Sequence, residues 1–229
     1  LRNISGPSSA KIGKVQTGTP SDVILSRIFN FMKRSHDSEM KRFELINNKR
    51  EEDEIIVLYD EAHGDKLIEE YLRANSINGE FNWHKDKFDN HFANWKNKLT
   101  SHCTGDYIFQ IDADEMPMES LIESLPAILE GNPDNEVYLV PRINTVSDIT
   151  NAHLQAWGWK MDANGFINFP DYQWRVYKNI SYIKWINKVH ERLEGFKTYA
   201  VLPSQVEYSL EHHKTIQKQE KQNNFYNTL

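Results

Sequence analysis

Three carboxylates within four residues, Asp112-Ala113-Asp114-Glu115, are the strongest chemical signal in this chain. They follow Tyr107-Ile108-Phe109-Gln110-Ile111, an apolar run that reads as a strand. In open α/β sheets, ligands bind beyond the carboxyl ends of strands. Like charges packed this closely repel one another and call for a cation between them. From Asp106 through Pro141 there are nine acidic residues and no Lys or Arg, so no neighbour in sequence supplies that cation. A hard divalent ion, Mg²⁺ or Mn²⁺, prefers oxygen donors of this kind. Bound there, it would clamp a diphosphate and stabilise it as a leaving group. The plainer reading is that Asp114 and Glu115 favour the N-terminus of a following helix. Placement at a strand end weighs against it.

Other residues offer chemistry with less support. Glu191 is a carboxylate able to act as general base on an acceptor hydroxyl, and His190 beside it is its competitor. Asp171 is a further carboxylate in the same region. His212 and His213 form either a surface pair or imidazole ligands completing a metal site. Arg175 and Lys214 suit a diphosphate, or are ordinary surface cations. Trp157, Trp159, Trp174 and Trp185 offer faces for sugar rings, although most tryptophans belong to cores. Cys103 reads as a small buried side chain.

The elements that must position these groups can be traced along the chain. Residues 1–18 are polar and lack periodicity, which predicts a mobile segment with a weak strand at Lys11–Gln16. Thr19-Pro20-Ser21-Asp22 looks like a helix start, with Ile24, Leu25, Ile28, Phe29 and Met32 as its apolar face. The charged stretch Asp37 to Asp53 predicts a second, exposed helix. Glu54–Asp60 reads as a buried parallel strand ending in a carboxylate. A short helix carries Leu67, Ile68, Tyr71 and Leu72, a short strand falls within Ser76–His84, and Phe88, Phe92, Trp95 and Leu99 form a helical stripe. Lys96 is off that stripe and free to point into a cleft. Met118 to Leu129 is the next helix, kinked at Pro126, and Glu136–Val140 the next strand. Tyr172–Tyr177, Ile183–Val189 and Tyr199–Leu202 are expected as strands of an antiparallel addition, and 214–229 as a helical tail.

Phe92-Ala93-Asn94-Trp95-Lys96-Asn97, then Gly105-Asp106-Tyr107-Ile108, then Asp112-Ala113-Asp114-Glu115 together resemble the signature of family 2 glycosyltransferases with the GT-A fold. Lys96-Asn97 stands where Arg-Asn is usual. The strand Ile55–Asp60 is similar to the one whose final Asp contacts the nucleotide base. Arg175, then Trp185-Ile186-Asn187-Lys188-Val189-His190-Glu191, is similar to a pattern of one bacterial branch, as is Glu211-His212-His213-Lys214. The likeness covers roughly 54–214. Two departures stand out: no usual first strand is recognisable in residues 1–22, and Glu61-Ala62-His63-Gly64-Asp65 replaces the usual Asp-Gly-Ser-x-Asp. The resemblance implies a GT-A-like, Rossmann-like, mostly parallel sheet flanked by helices with a small antiparallel addition. It implies a metal-dependent, inverting glycosyltransferase of hexosyl type. Glu191, with His190 as competitor, would be catalytic. Asp60, Lys96, Asn97, Asp112, Arg175 and Lys214 would bind the nucleotide, and Asp112, Asp114, His212 and His213 the Mn²⁺ or Mg²⁺. The donor would be a nucleotide sugar, for preference a UDP-sugar, and the acceptor a glycan, a lipid-linked molecule or a protein.

Composition bounds these readings. The chain has 229 residues, 39% hydrophobic and 12% aromatic, enough for one domain with a substantial core. It is read as a single domain with a nucleotide-binding half over 54–143 and an acceptor-binding half over 144–213. A formal charge of −6 argues against bulk nucleic acid as partner. One cysteine excludes an intrachain disulfide framework. The longest apolar run, Ile55–Tyr59, falls far short of the ~20 residues of a membrane span. A soluble, cytoplasmic protein is expected. Two other functions stay open: a nucleotidyltransferase acting on a sugar phosphate, which usually carries a Gly-rich basic loop not evident in residues 1–22, and a carbohydrate-binding module built on the tryptophans.

Overall fold

The computed structural model describes residues 25–31, 49–77 and 79–226. Expectations for residues 1–24 and 32–48, including the mobile segment, the weak strand and most of the charged helix, lie outside them. Among the described residues, seven strands form the main sheet: β1 (Leu25–Phe31), β2 (Glu54–Asp60), β3 (Asn82–Asp86), β4 (Tyr107–Asp112), β6 (Val137–Val140), β8 (Gln173–Lys178) and β11 (Tyr199–Val201). Their order is β11-β6-β8-β4-β1-β2-β3. Only β8 runs against the rest, being antiparallel to both β4 and β6.

Helices cover both faces. The odd residues of β2 and β4, among them Val57, Tyr59, Phe109 and Ile111, face Leu72 of α1 (Lys66–Asn75) and Leu121, Leu125 and Ile128 of α3 (Glu119–Gly131). The even residues Ile56, Leu58 and Ile108 face Ala93, Trp95 and Leu99 of α2 (Phe92–Thr100). A strand buried on both faces must be largely apolar, and β2 after Glu54 and β4 apart from the buried Gln110 are so until each ends in an Asp. By the same parity both terminal carboxylates, Asp60 and Asp112, point to the α2 face.

A second sheet, β5-β12-β7, joins β5 (Glu115–Pro117), β12 (Leu210–Thr215) and β7 (Arg142–Ser147) beside the end of β4. A hairpin of β9 (Lys184–Ile186) and β10 (Arg192–Glu194) packs on α2. An exposed helix α4 (Asn151–Trp157) follows β7, and α5 (Ile216–Tyr226) follows β12. Among the described residues no helix is long and apolar enough to cross a membrane.

Two expectations are corrected. The segment read as a helix at Ile24–Met32 contains β1, which pairs in parallel with β2 on one side and β4 on the other. Its apolar residues recur every four positions, a spacing common to a strand and a helix, so the pattern did not separate the two. The strand at Tyr199–Val201 joins the main sheet parallel to β6 rather than an antiparallel addition. Pro126 lies inside α3 without ending it.

Candidate active site at the end of strand β4

The four residues after Ile111 divide into two inward carboxylates and one outward. Asp112 Oδ2 accepts a hydrogen bond from Arg175 Nη2 at 2.8 Å, and Lys96 Nζ lies 3.3 Å from Oδ1. Glu115 is fully buried. Its Oε2 accepts from Arg175 Nε at 2.8 Å and from the Asp112 amide at 3.2 Å, and its Oε1 from Arg175 Nη2 at 2.6 Å and Arg142 Nη1 at 2.9 Å. Burial alone would raise the Glu115 carboxyl, but the guanidiniums of Arg175 and Arg142 outweigh it and hold the group below the usual carboxylate range. The acidic cluster is therefore compensated by cations from α2, β7 and β8, distant in sequence. This corrects two expectations. The cluster does not call for a metal by want of cations, and Arg175 is spent on Asp112 and Glu115 rather than offered to a diphosphate. Nor does the cluster serve the start of α3, where Met118 is the cap and Glu119 supplies the first-turn charge.

Asp114 is different. Its side chain is 52% exposed, with His212 Nε2 at 3.1 Å and Lys214 Nζ at 3.5 Å from Oδ2. Asn144 fixes the histidine. Its amide nitrogen donates to Asp171 Oδ2 at 2.9 Å, which leaves its oxygen facing His212 Nδ1 at 2.7 Å. Nδ1 must then carry the proton, and in the neutral ring the Nε2 lone pair points at the Asp114 carboxylate. Burial pushes the His212 imidazolium toward deprotonation, which favours that neutral ring. A carboxylate oxygen and an imidazole lone pair turned toward each other suit a divalent cation of the Mn²⁺ or Mg²⁺ kind. They are two donors; among the described residues no group of three or more His, Cys, Asp and Glu side chains converges on one point. His213 is not brought there. Successive residues of β12 face opposite sides, and His213 meets Thr145 Oγ1 at 2.8 Å and Ser147 Oγ at 3.1 Å on the far face. Lys214, on the same side as His212, also donates to Gln222 of α5.

Glu191 sits on the α2 side of Asp112. Its Oε1 is 2.6 Å from Lys96 Nζ and its side chain is 18% exposed. Lys96 is 2% exposed and lies 4.5 Å over the Trp185 ring, so it does not reach openly into a cleft as its place off the stripe predicted. The Asn97 side chain is engaged with backbone. Its amide both donates to Trp185 O at 2.8 Å and accepts from Trp185 N at 2.9 Å, tying α2 to β9. His190 is exposed and adopts a positive φ of 53°, next to a loop that also turns at Asn187 with φ 73°. Asp60 lies two strands from Asp112, on the other side of β1, and is 1% exposed. Its oxygens accept from the Ala62 and Phe88 amides at 3.0 and 3.1 Å and meet His63 Nδ1 at 2.9 Å, so it organises the loop after β2. Gly64 closes that loop, because a Cβ there would come within 2.4 Å of the Asp60 carbonyl and the Tyr59 ring.

Residues that the sequence did not single out complete the arrangement. Arg142 bridges Glu115 to Asp171 at 2.9 and 2.6 Å, and Asn144 links Asp171 to His212. Asp171, held by Arg142, Asn144 and Gln173, is committed to this network and is a poor substitute base. The one available signal for Arg142 was its position as the first cation after the acidic stretch. The tryptophans separate: Trp185 is buried, Trp174 packs on Phe196 and Tyr199, and Trp157 and Trp159 stay half-buried with ring centroids 4.8 Å apart.

Residues 41–201 match the family model described as glycosyl transferase family 2, and the chain belongs to that family. No curated protein matches. Among solved structures, the chain is similar to the mannosyltransferase PcManGT from Pyrobaculum calidifontis in complex with GDP-Man and Mn²⁺, at 17% identity and a TM-score of 0.43, covering 54% of this chain and 39% of that one. It is also similar to S. aureus TarS, at 13% identity and a TM-score of 0.48, covering 84% of this chain and 36% of that one. The chain thus spans well under half the length of either structure.

Proposed function

We propose that this member of glycosyl transferase family 2 moves a hexosyl group from a nucleotide-sugar donor to an acceptor hydroxyl with inversion. The single observation that carries the reading is the division of labour after β4. Asp112 and Glu115 are turned inward and neutralised, while Asp114 is turned outward with its Oδ2 3.1 Å from His212 Nε2. Asp114 and His212 would hold the divalent cation, with diphosphate oxygens as further ligands, and Lys214 lies near enough to meet a phosphate. The cation would supply charge neutralisation of the departing diphosphate.

The chain's own groups do the rest. Glu191 is ionised at neutral pH: burial would raise its carboxyl, but Lys96 and then Arg175 bring it below the usual range. It accepts the proton of the acceptor hydroxyl as that oxygen attacks the anomeric carbon. The bond from that carbon to the diphosphate oxygen breaks, and the nucleoside diphosphate leaves with the electron pair. Asp60, at the end of β2, would line the nucleoside pocket, with the donor held by the segment over 54–143 and the acceptor by the segment over 144–213. Family membership supports transfer over a nucleotidyltransferase or a bare carbohydrate-binding module.

The test is a panel of UDP- and GDP-sugars with Mn²⁺ or Mg²⁺, read as donor hydrolysis and transfer. Asp114→Asn should keep the fold and lose metal-dependent nucleoside diphosphate binding. Glu191→Gln should keep that binding and lower turnover by about 10² to 10⁴. Turnover unchanged in Glu191→Gln would sink the base assignment. Metal-dependent binding unchanged in Asp114→Asn would sink the metal site.

A further inference from the structure

We infer that Lys96 is a positioning residue for Glu191, holding the base through a buried ion pair that also reaches the donor-side carboxylate Asp112. The inference rests on the reading of Glu191 as general base. Its geometric support is independent of that reading. Lys96 Nζ has two carboxylates around it, Glu191 at 2.6 Å and Asp112 at 3.3 Å, and its remaining side is covered by the Trp185 ring at 4.5 Å. At 2% exposure its side chain is among the most buried in the protein. A buried lysine so placed, between two carboxylates and an indole ring, has little freedom to leave for a ligand.

The scaffold around the pair is built to fix it. The Asn97 amide hydrogen-bonds to both backbone groups of Trp185, and the Phe92 amide donates to Lys188 O at 3.0 Å. These two links tie the helix carrying Lys96 to both ends of the Trp185–Lys188 segment, just before Glu191. Beneath, Trp185 Nε1 donates to Tyr177 Oη at 3.1 Å, and that hydroxyl meets Thr100 Oγ1 at 2.8 Å and Gln110 Oε1 at 3.0 Å. The floor under Lys96 is therefore locked by bonds to α2, β4 and β8. Two segments far apart in sequence, α2 and the β9–β10 loop, are thus held together around one ammonium–carboxylate contact. Without that contact, a carboxylate at this depth would turn toward water. Lys96 sets its position relative to Asp112 and the donor.

A double-mutant cycle tests this. Donor binding is titrated with UDP or GDP plus Mn²⁺, and turnover is measured with the donor that the panel identifies. Lys96→Met should lower kcat by about 10², within the range of general-base effects, with nucleoside diphosphate affinity changed less than threefold. Lys96→Arg, which keeps the charge, should recover most of the rate. In a Glu191→Gln background, where no carboxylate remains to be held, Lys96→Met should cost nothing further. That double variant also removes both charges together, so it folds where Lys96→Met alone leaves Glu191 buried without its cation. Additive losses would overturn the inference, as would collapse of nucleotide affinity in Lys96→Met, which would return Lys96 to the nucleoside pocket. If Glu191→Gln is itself without effect, the base assignment fails and the inference falls with it. If Glu191→Gln is crippled and Lys96→Met is as active as the parent, the inference alone fails.

Discussion

Glu115 shows how much of this site is scaffold rather than reagent. A fully buried carboxylate is tolerated only when its lone pairs are filled, and here two arginines and a backbone amide fill them. Removing one partner leaves an uncompensated charge. Arg175→Met is expected to destabilise the fold by about 3 to 5 kcal/mol, measured by denaturant unfolding, because it strips both Glu115 and Asp112. Glu115→Gln keeps the shape but leaves Arg175 and Arg142 facing an amide, and should fall in the same range. The sign with pH follows from the direction of the Glu115 shift. A carboxyl held below its ordinary 4.5 in the folded state contributes stability above that value and loses it as the pH falls further. The melting temperature should therefore drop more steeply below about pH 4 in the parent than in Glu115→Gln. Equal slopes would mean that the arginines do not hold this proton off.

At the scale of elements, α2 and the β9–β10 hairpin behave as one unit. Asn97 supplies a substitute strand edge to Trp185, one donor and one acceptor matched to one residue's backbone. Asn97→Ala should cost about 1 to 3 kcal/mol through two lost hydrogen bonds and unsatisfied groups. Because Lys96 and Glu191 meet across the same junction, turnover should fall with nucleoside diphosphate affinity intact; an Asn97 variant that loses affinity instead would restore the residue to the nucleotide site. The elements that carry the site were legible where burial is two-sided or periodic. The strands ending in Asp60 and Asp112 and the α2 stripe follow from runs and spacing alone. β1 was not, since residues four apart satisfy both periods. β12 was not, since Leu210, His212 and Lys214 alternate inward through mostly polar residues, and nothing local marks His212 as the inward histidine and His213 as the outward one. The cations that neutralise the acidic cluster were equally hidden, because Arg142 and Arg175 reach Glu115 across 27 and 60 residues of chain.

In the whole molecule, β2 and β4 end at the same edge of the main sheet, and β12 is paired with β5 just beyond the end of β4. The 3-stranded sheet joins the main sheet through the links from β4 to β5 and from β6 to β7, through Leu210 in the shared core, and through the arginine network. A ligand bridging Asp114, His212 and Lys214 to the end of β2 would join them further, and binding to the folded state alone raises stability by mass action. At a concentration 100-fold above the dissociation constant the gain is about 2.7 kcal/mol, which in a chain of this size corresponds to a rise of roughly 5 to 10 °C in melting temperature. Nucleoside diphosphate with Mn²⁺ should produce that shift, and the nucleotide with chelator much less. His212→Gln is the sharper probe than His213→Gln. The first removes the lone pair that faces Asp114 and should abolish the Mn²⁺-dependent part of the shift, while the second alters a side chain on the opposite face and should leave it intact. Equal loss in the two variants would mean that β12 contributes to binding through its backbone or its general stability, and the metal site would then have to be sought away from His212.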